Sequence, residues 1–113
     1  MALDEDLINR MRTAAKDLPG ISENQMMGGI CFFHKGNMLA GCSVKKTGER
    51  QFMFRVGKDN EEIALSRAGA IPVILGKRRM GGMVFVDEKV CDQKNLKSWL
   101  DLAMEFVGDL PAK

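Results

Sequence analysis

The 113 residues make one domain, and with 45% apolar and 28% charged residues they suffice for a core that needs no metal or disulfide staple. Seventeen Lys and Arg against fifteen Asp and Glu leave a net charge of +2, which excludes both a polybasic tail protein and an acidic solvating one. No apolar run reaches the roughly 18 residues of a membrane span, the acidic start MALDEDLINR is not a signal peptide, and three cysteines, an odd number, point away from a disulfide framework and toward a reducing cytoplasm.

Leu3, Leu7, Met11, Ala14 and Leu18 fall at helical spacing, with Asp4, Glu5 and Asp6 at the positive end of the helix dipole and Leu18-Pro19-Gly20 as the stop. From Gly28 the period changes to two. Residues 28–34 read as a strand, Lys35-Gly36-Asn37 as a tight turn and residues 38–44 as the return strand. A Gly36-Asn37 turn faces Phe33 with Ala40 and Cys31 with Cys42, whereas a Lys35-Gly36 turn faces Cys31 with Ala40. Either register makes Cys31, Phe33, Met38, Ala40, Cys42 and Val44 one face, taken as core, and leaves Ile30, Phe32, His34, Leu39 and Gly41 on the other.

Residues 51–56 form a third strand with Phe52, Phe54 and Val56 on one side and Met53 and Arg55 on the other. Asp59 and Glu62 have capping-box spacing for a short helix that Gly69 ends. Residues 71–75 are a short strand whose Pro72 suits a sheet edge. Residues 76–82 read as a basic, glycine-flanked connection, and residues 83–86 as a fifth strand. Asp92 caps a last helix with Leu96, Trp99, Leu100, Ala103, Val107 and Leu110 as its apolar stripe. The expected fold is α+β, a two-layer sandwich with an antiparallel sheet of about five strands in the order α-β-β-β-α-β-β-α, and residues 1–113 form a single domain. The second sheet face, with Ile30, Phe32, Leu39, Met53 and either Val84 and Val86 or Met83 and Phe85, is too apolar to be free, so a crossing helix or a second copy of the chain must cover it. Ile30, Phe32, Leu39 and Met53 are therefore the expected interface of a homodimer.

One ordered string spans nearly the whole chain: Met27-Gly28-Gly29, Phe33, Gly36, Met38, Gly41, Arg55-Val56-Gly57, Ala64-Leu65, Gly76, Met80, Gly82 through Val86, Leu96, Trp99, Ala103, Phe106-Val107 and Leu110-Pro111. It resembles the N-terminal domain of TfoX/Sxy-type competence regulators. The resemblance implies a secretion-chaperone-like α+β fold, a bacterial cytoplasm, no catalytic activity, and a role beside a cyclic-AMP-dependent activator of transformation genes. TfoX-type proteins also carry a C-terminal helical domain, and the resemblance here is to the first domain. They usually have Arg-Pro before the methionine of the Gly-x-x-Met segment and a Phe in the preceding strand, where Lys77-Arg78-Arg79 and Val73 stand here.

Lys77, Arg78 and Arg79 between glycines, with Arg55 and Lys58 at the end of the third strand, are the candidate contacts for a carboxylate or phosphate. Gly82-Met83 stands where a P-loop needs Lys-Ser/Thr. Three cations in the loop make a thin footprint for DNA, which takes about six or more phosphate contacts, and no helix is basic enough to read a groove. Cys31, His34, Cys42 and Cys91 lack zinc spacing, and Cys31 and His34 fall on opposite strand faces, which denies them a nucleophile–base pair. The sequence thus carries no catalytic, metal or cofactor site. The first expectation is a non-enzymatic interaction module that presents these cations to an acidic protein partner in transcriptional control, with direct nucleic-acid contact weakly supported. The alternative is a sensor of a small anion or nucleotide at residues 76–82.

Overall fold

The computed structural model describes residues 4–26 and 29–113, so Leu3 of the first apolar stripe, Met27 of the resemblance string and Gly28 at the start of the first expected strand lie outside the described residues. Helix α1 (Glu5–Ala15) opens where Asp4 Oδ1 accepts the Leu7 N–H at 2.9 Å. It buries Leu7, Ile8, Met11 and Ala15. Strands β1 (Ile21–Met26), β2 (Gly29–His34), β3 (Asn37–Val44) and β4 (Arg50–Arg55) follow as an antiparallel meander. A 3-10 turn (Lys58–Asn60) leads into α2 (Glu61–Leu65), and β5 (Ala70–Leu75) and β6 (Arg78–Asp87) form a hairpin. Helix α3 (Gln93–Val107) closes the chain, capped by Asp92 Oδ1 on the Asn95 N–H at 2.8 Å. The sheet order is β1-β2-β3-β4-β6-β5, with β6 rather than β5 beside β4.

The architecture is the expected α+β sandwich, with six strands rather than five. The additional strand, β1, is an edge whose Ser22, Glu23, Asn24 and Gln25 are all exposed. With no apolar alternation of its own, it is made a strand by its pairing with β2.

The face assignment of β2 is reversed. Lys35 (φ 49°) and Gly36 (φ 83°) make the two-residue turn, so His34 opposes Asn37 and Phe33 opposes Met38. The register then slips by one residue, and Phe32 meets Ala40 while Ile30 meets Cys42. Leu39 is the extra residue of this bulge, and it sinks fully into the core. A one-residue slip exchanges the faces of the strand beyond it. Ile30, Phe32 and Leu39, expected at a dimer interface, therefore join Ala40, Cys42, Phe52, Phe54, Val84 and Val86 in the core.

All three helices contribute to that one core and so layer on the same side of the sheet. Trp99 of α3 stacks on Phe54, with ring centroids 5.3 Å apart and planes at 10°, and the Arg67 guanidinium, just beyond α2, lies over the Trp99 ring at 4.6 Å. At the far end Arg50 reaches Asp6 at 2.6 Å, and Arg10 reaches Glu88 at 3.1 Å and lies over Phe52, tying α1 to the sheet. The last residues fold back on the β2–β3 turn: Asn37 Nδ2 donates to the Pro111 carbonyl and the Lys113 N–H to the Lys35 carbonyl, each at 2.9 Å.

The segment expected as a basic loop is mostly strand. Only Gly76 and Lys77 form the turn, and Arg78 already pairs with Leu75. The glycines that read as breakers sit instead in a bulge, where β5 passes from Pro72 opposite Val84 to Val73 opposite Met80. Gly82, at φ 80°, turns its carbonyl to accept the N–H groups of Val56 and Gly57 at 2.8 and 3.0 Å.

Candidate functional site

Opposed residues in a sheet share a face. The register therefore lines up Cys31, Gly41, Met53, Phe85 and Ile71 across five strands on the side away from the helices. Phe33, Met38 and Met83 flank this row. Phe33, Met38, Met53, Met83 and Phe85 are each partly exposed, and Ile71 is 48% exposed. At Gly41 the neighbouring side chains close over the bare backbone: an added Cβ would stand 3.5 Å from Met53 Cε and 3.7 Å from Cys31 Sγ. Of the four residues expected at an interface, Met53 alone lies here. The choice between Val84 with Val86 and Met83 with Phe85 resolves in favour of Met83 and Phe85 as the outward pair.

The five candidate cations separate into two groups. Arg55 and Lys58 line one notch of about 300 Å³, together with Gly57, Asp59, Gly81, Gly82 and Phe106. The Arg55 guanidinium lies 5.3 Å from the centre of the Phe106 ring, and its Nη1 is 3.5 Å from the Met38 carbonyl. Lys77, Arg78 and Arg79 lie on the β5–β6 hairpin and do not line this notch. Arg79 is ion-paired with Glu61 at 2.8 Å, while Lys77 and Arg78 are exposed near the tip. Of the glycine-flanked segment 76–82, Gly81 and Gly82 line the notch, while residues 76–80 form the turn and strand of the hairpin.

The notch has a packing logic that spacing alone hides. A Cβ on Gly57 would stand 2.5 Å from the Phe106 ring, and one on Gly82 would stand 2.9 Å from the Gly57 backbone. Both glycines have positive φ, so strand end, bulge and helix α3 interlock through them. Phe106 and Asp59 were not among the candidate site residues. Phe106 lies off the main apolar stripe of α3, and the resemblance string was the sole signal that marked it.

The groups that would carry nucleophilic or acid–base chemistry have structural roles. His34 is buried, and its Nδ1–H donates to the Pro19 carbonyl at 2.6 Å. Burial pushes the Cys42 and Cys91 thiols up to about 11 and raises Cys31 as well, which keeps all three protonated near neutrality. Among the described residues no cluster of three or more His, Cys, Asp or Glu side chains is placed to hold a metal, and no helix is long and apolar enough to cross a membrane.

The family model of the TfoX N-terminal domain matches residues 13–107. The chain belongs to that family. No curated protein and no solved structure matches it. Membership of the TfoX N-terminal domain family points to a competence-regulator-like module. The residues that carry the TfoX resemblance fall into three places: Gly57, Gly82 and Phe106 build the notch, Gly41 and Phe33 lie on the open face, and Trp99 seats α3.

Proposed function

We propose that the chain is a non-enzymatic regulatory module acting through protein–protein contacts in transcriptional control, and that its open sheet face pairs with a second copy of itself. One observation carries this reading: the face opposite the helices is apolar from Cys31 to Ile71, and no described element covers it. Charged side chains in register on that face, Arg55 and Asp87, stand only at its ends, beyond the central row. A twofold pairing brings like surfaces together, and sets the partly exposed Met53 and Phe85 against the same apolar row of the copy. Methionine suits such a surface because it adapts its shape. Membership of the TfoX N-terminal domain family supports the regulatory part of the reading. DNA is left out of it, because with Arg79 held by Glu61 the hairpin tip offers Lys77 and Arg78, well short of the about six phosphate contacts DNA binding often takes.

The test is sedimentation velocity across a concentration series. The wild type is expected to dimerise, and Met53→Glu and Phe85→Glu to sediment as folded monomers with unchanged circular dichroism. A wild type that stays monomeric throughout, or a dimer that both variants retain, overturns the pairing. Capture of a cyclic-AMP-dependent activator by the wild type tests the regulatory role, and failure to capture it argues against that role.

A further inference from the structure

The notch at the end of β4 holds two cations with no acidic partner of their own. Neither Arg55 nor Lys58 takes part in an ion pair among the described residues, although most other arginines of the sheet and α1 do. Arg55 is only partly exposed: its guanidinium lies over the Phe106 ring, 5.3 Å from the ring centre, with Nη1 3.5 Å from the Met38 carbonyl. That placement has already removed much of its side-chain freedom and part of its hydration, so an incoming anion meets a preset donor. Lys58 runs along Gly81, where an added Cβ would stand 3.3 Å from its Cε. The glycine therefore leaves room for the lysine stem and keeps the rim free of side chain. Asp59 is the one acidic group lining the notch.

We propose that this notch binds a single carboxylate or phosphate group, gripped by Arg55 and Lys58, with Asp59 opposing it. About 300 Å³ admits one such group with a small body attached, not a polymer. Arg55 supplies a planar fork of donors and Lys58 a mobile point charge, the combination that suits either anion. The same chemistry comes from two sources, a free small anion or an acidic side chain of a protein partner.

Calorimetry on the full chain separates these sources, with pyrophosphate, citrate and a short Asp/Glu peptide as probes. Binding is expected at about 1 mM or tighter for at least one probe. Free anions alone mark a small-molecule site, and the peptide alone marks a partner's acidic segment. Lys58→Gln, at an exposed position, is expected to weaken binding about tenfold without affecting the fold, and Arg55→Gln by at least as much. Asp59→Asn is expected to tighten it, an effect that a purely structural role for the notch does not produce. Lys77→Gln and Arg78→Gln are expected to leave it unchanged. In amide spectra the probe is expected to shift Lys58, Gly81 and Gly82. The proposal is overturned by no saturable binding to the wild type, by binding that Lys58→Gln retains, or by binding that the hairpin variants abolish instead. Met53→Glu lies on the open face outside the notch, so failure here and failure of the sheet-face pairing are told apart.

Discussion

Leu39 illustrates how a single residue decides which side of a strand faces the core. It is the extra residue where β3 bulges against β2, and it is fully buried. Truncation leaves a cavity that a strand pinned on both sides by β2 and β4 cannot close, so Leu39→Ala is expected to cost about 3 kcal/mol in denaturant unfolding. Were Leu39 an interface residue instead, the same change would leave the monomer's stability nearly untouched. Alternation by itself could not reveal this, because both registers weighed on the sequence assumed an unbroken ladder, and a bulge has no composition of its own. The cysteines act at the same scale. Cys42 has its thiol pushed up to about 11 from an ordinary 9.0, so folding favours its protonated form. The sign follows: its contribution is complete below about pH 9 and is lost as pH rises toward about 11. Stability measured across that interval is expected to fall, and to fall less steeply in Cys42→Ala.

Elements with chemical punctuation were the most legible. Asp4 and Asp92 stand before apolar stripes, and both accept the backbone N–H that their position promises. Asp92→Ala is expected to lower stability by about 1 kcal/mol, read from the shift of the thermal midpoint, because the first turn of α3 then keeps an unmet donor. Strand β1 was not legible, since Ser22 to Gln25 carry no period and take strand form from the open edge of β2. Strand β6 was read too short because Gly81 and Gly82 look like a break in sequence. In space they are a bulge that lets β6 pair with β5 above and β4 below. The same reading took Lys77, Arg78 and Arg79 as loop residues, whereas Arg78 and Arg79 belong to β6 and none of the three lines the notch that holds Arg55 and Lys58. The pairing of Arg55 with Lys58 was visible from their three-residue spacing around a strand end; the Phe106 wall came from a helix about fifty residues away and left no local mark.

For the whole molecule, strand order divides the sheet unevenly. From Gln51 to Arg55, β4 pairs with residues 83–87 of β6 and goes no further. Among the described residues, 78–80 therefore have β5 as their only strand neighbour, and the outer part of the hairpin is a two-stranded ribbon extending past the end of β4. Two-stranded ribbons are marginal on their own. The Gly81-Gly82 bulge lies where this ribbon joins the six-stranded body. Amide hydrogen exchange should separate the two regions: protons of Ile74, Arg78 and Arg79 are expected to exchange by local opening, while those of Phe52, Phe54 and Val84 wait for global unfolding. Equal protection across both would show that the ribbon melts only with the core. With the bulge as a fuse between two independently melting units, the hairpin tip is free to be reshaped by mutation at little cost to the stability of the rest.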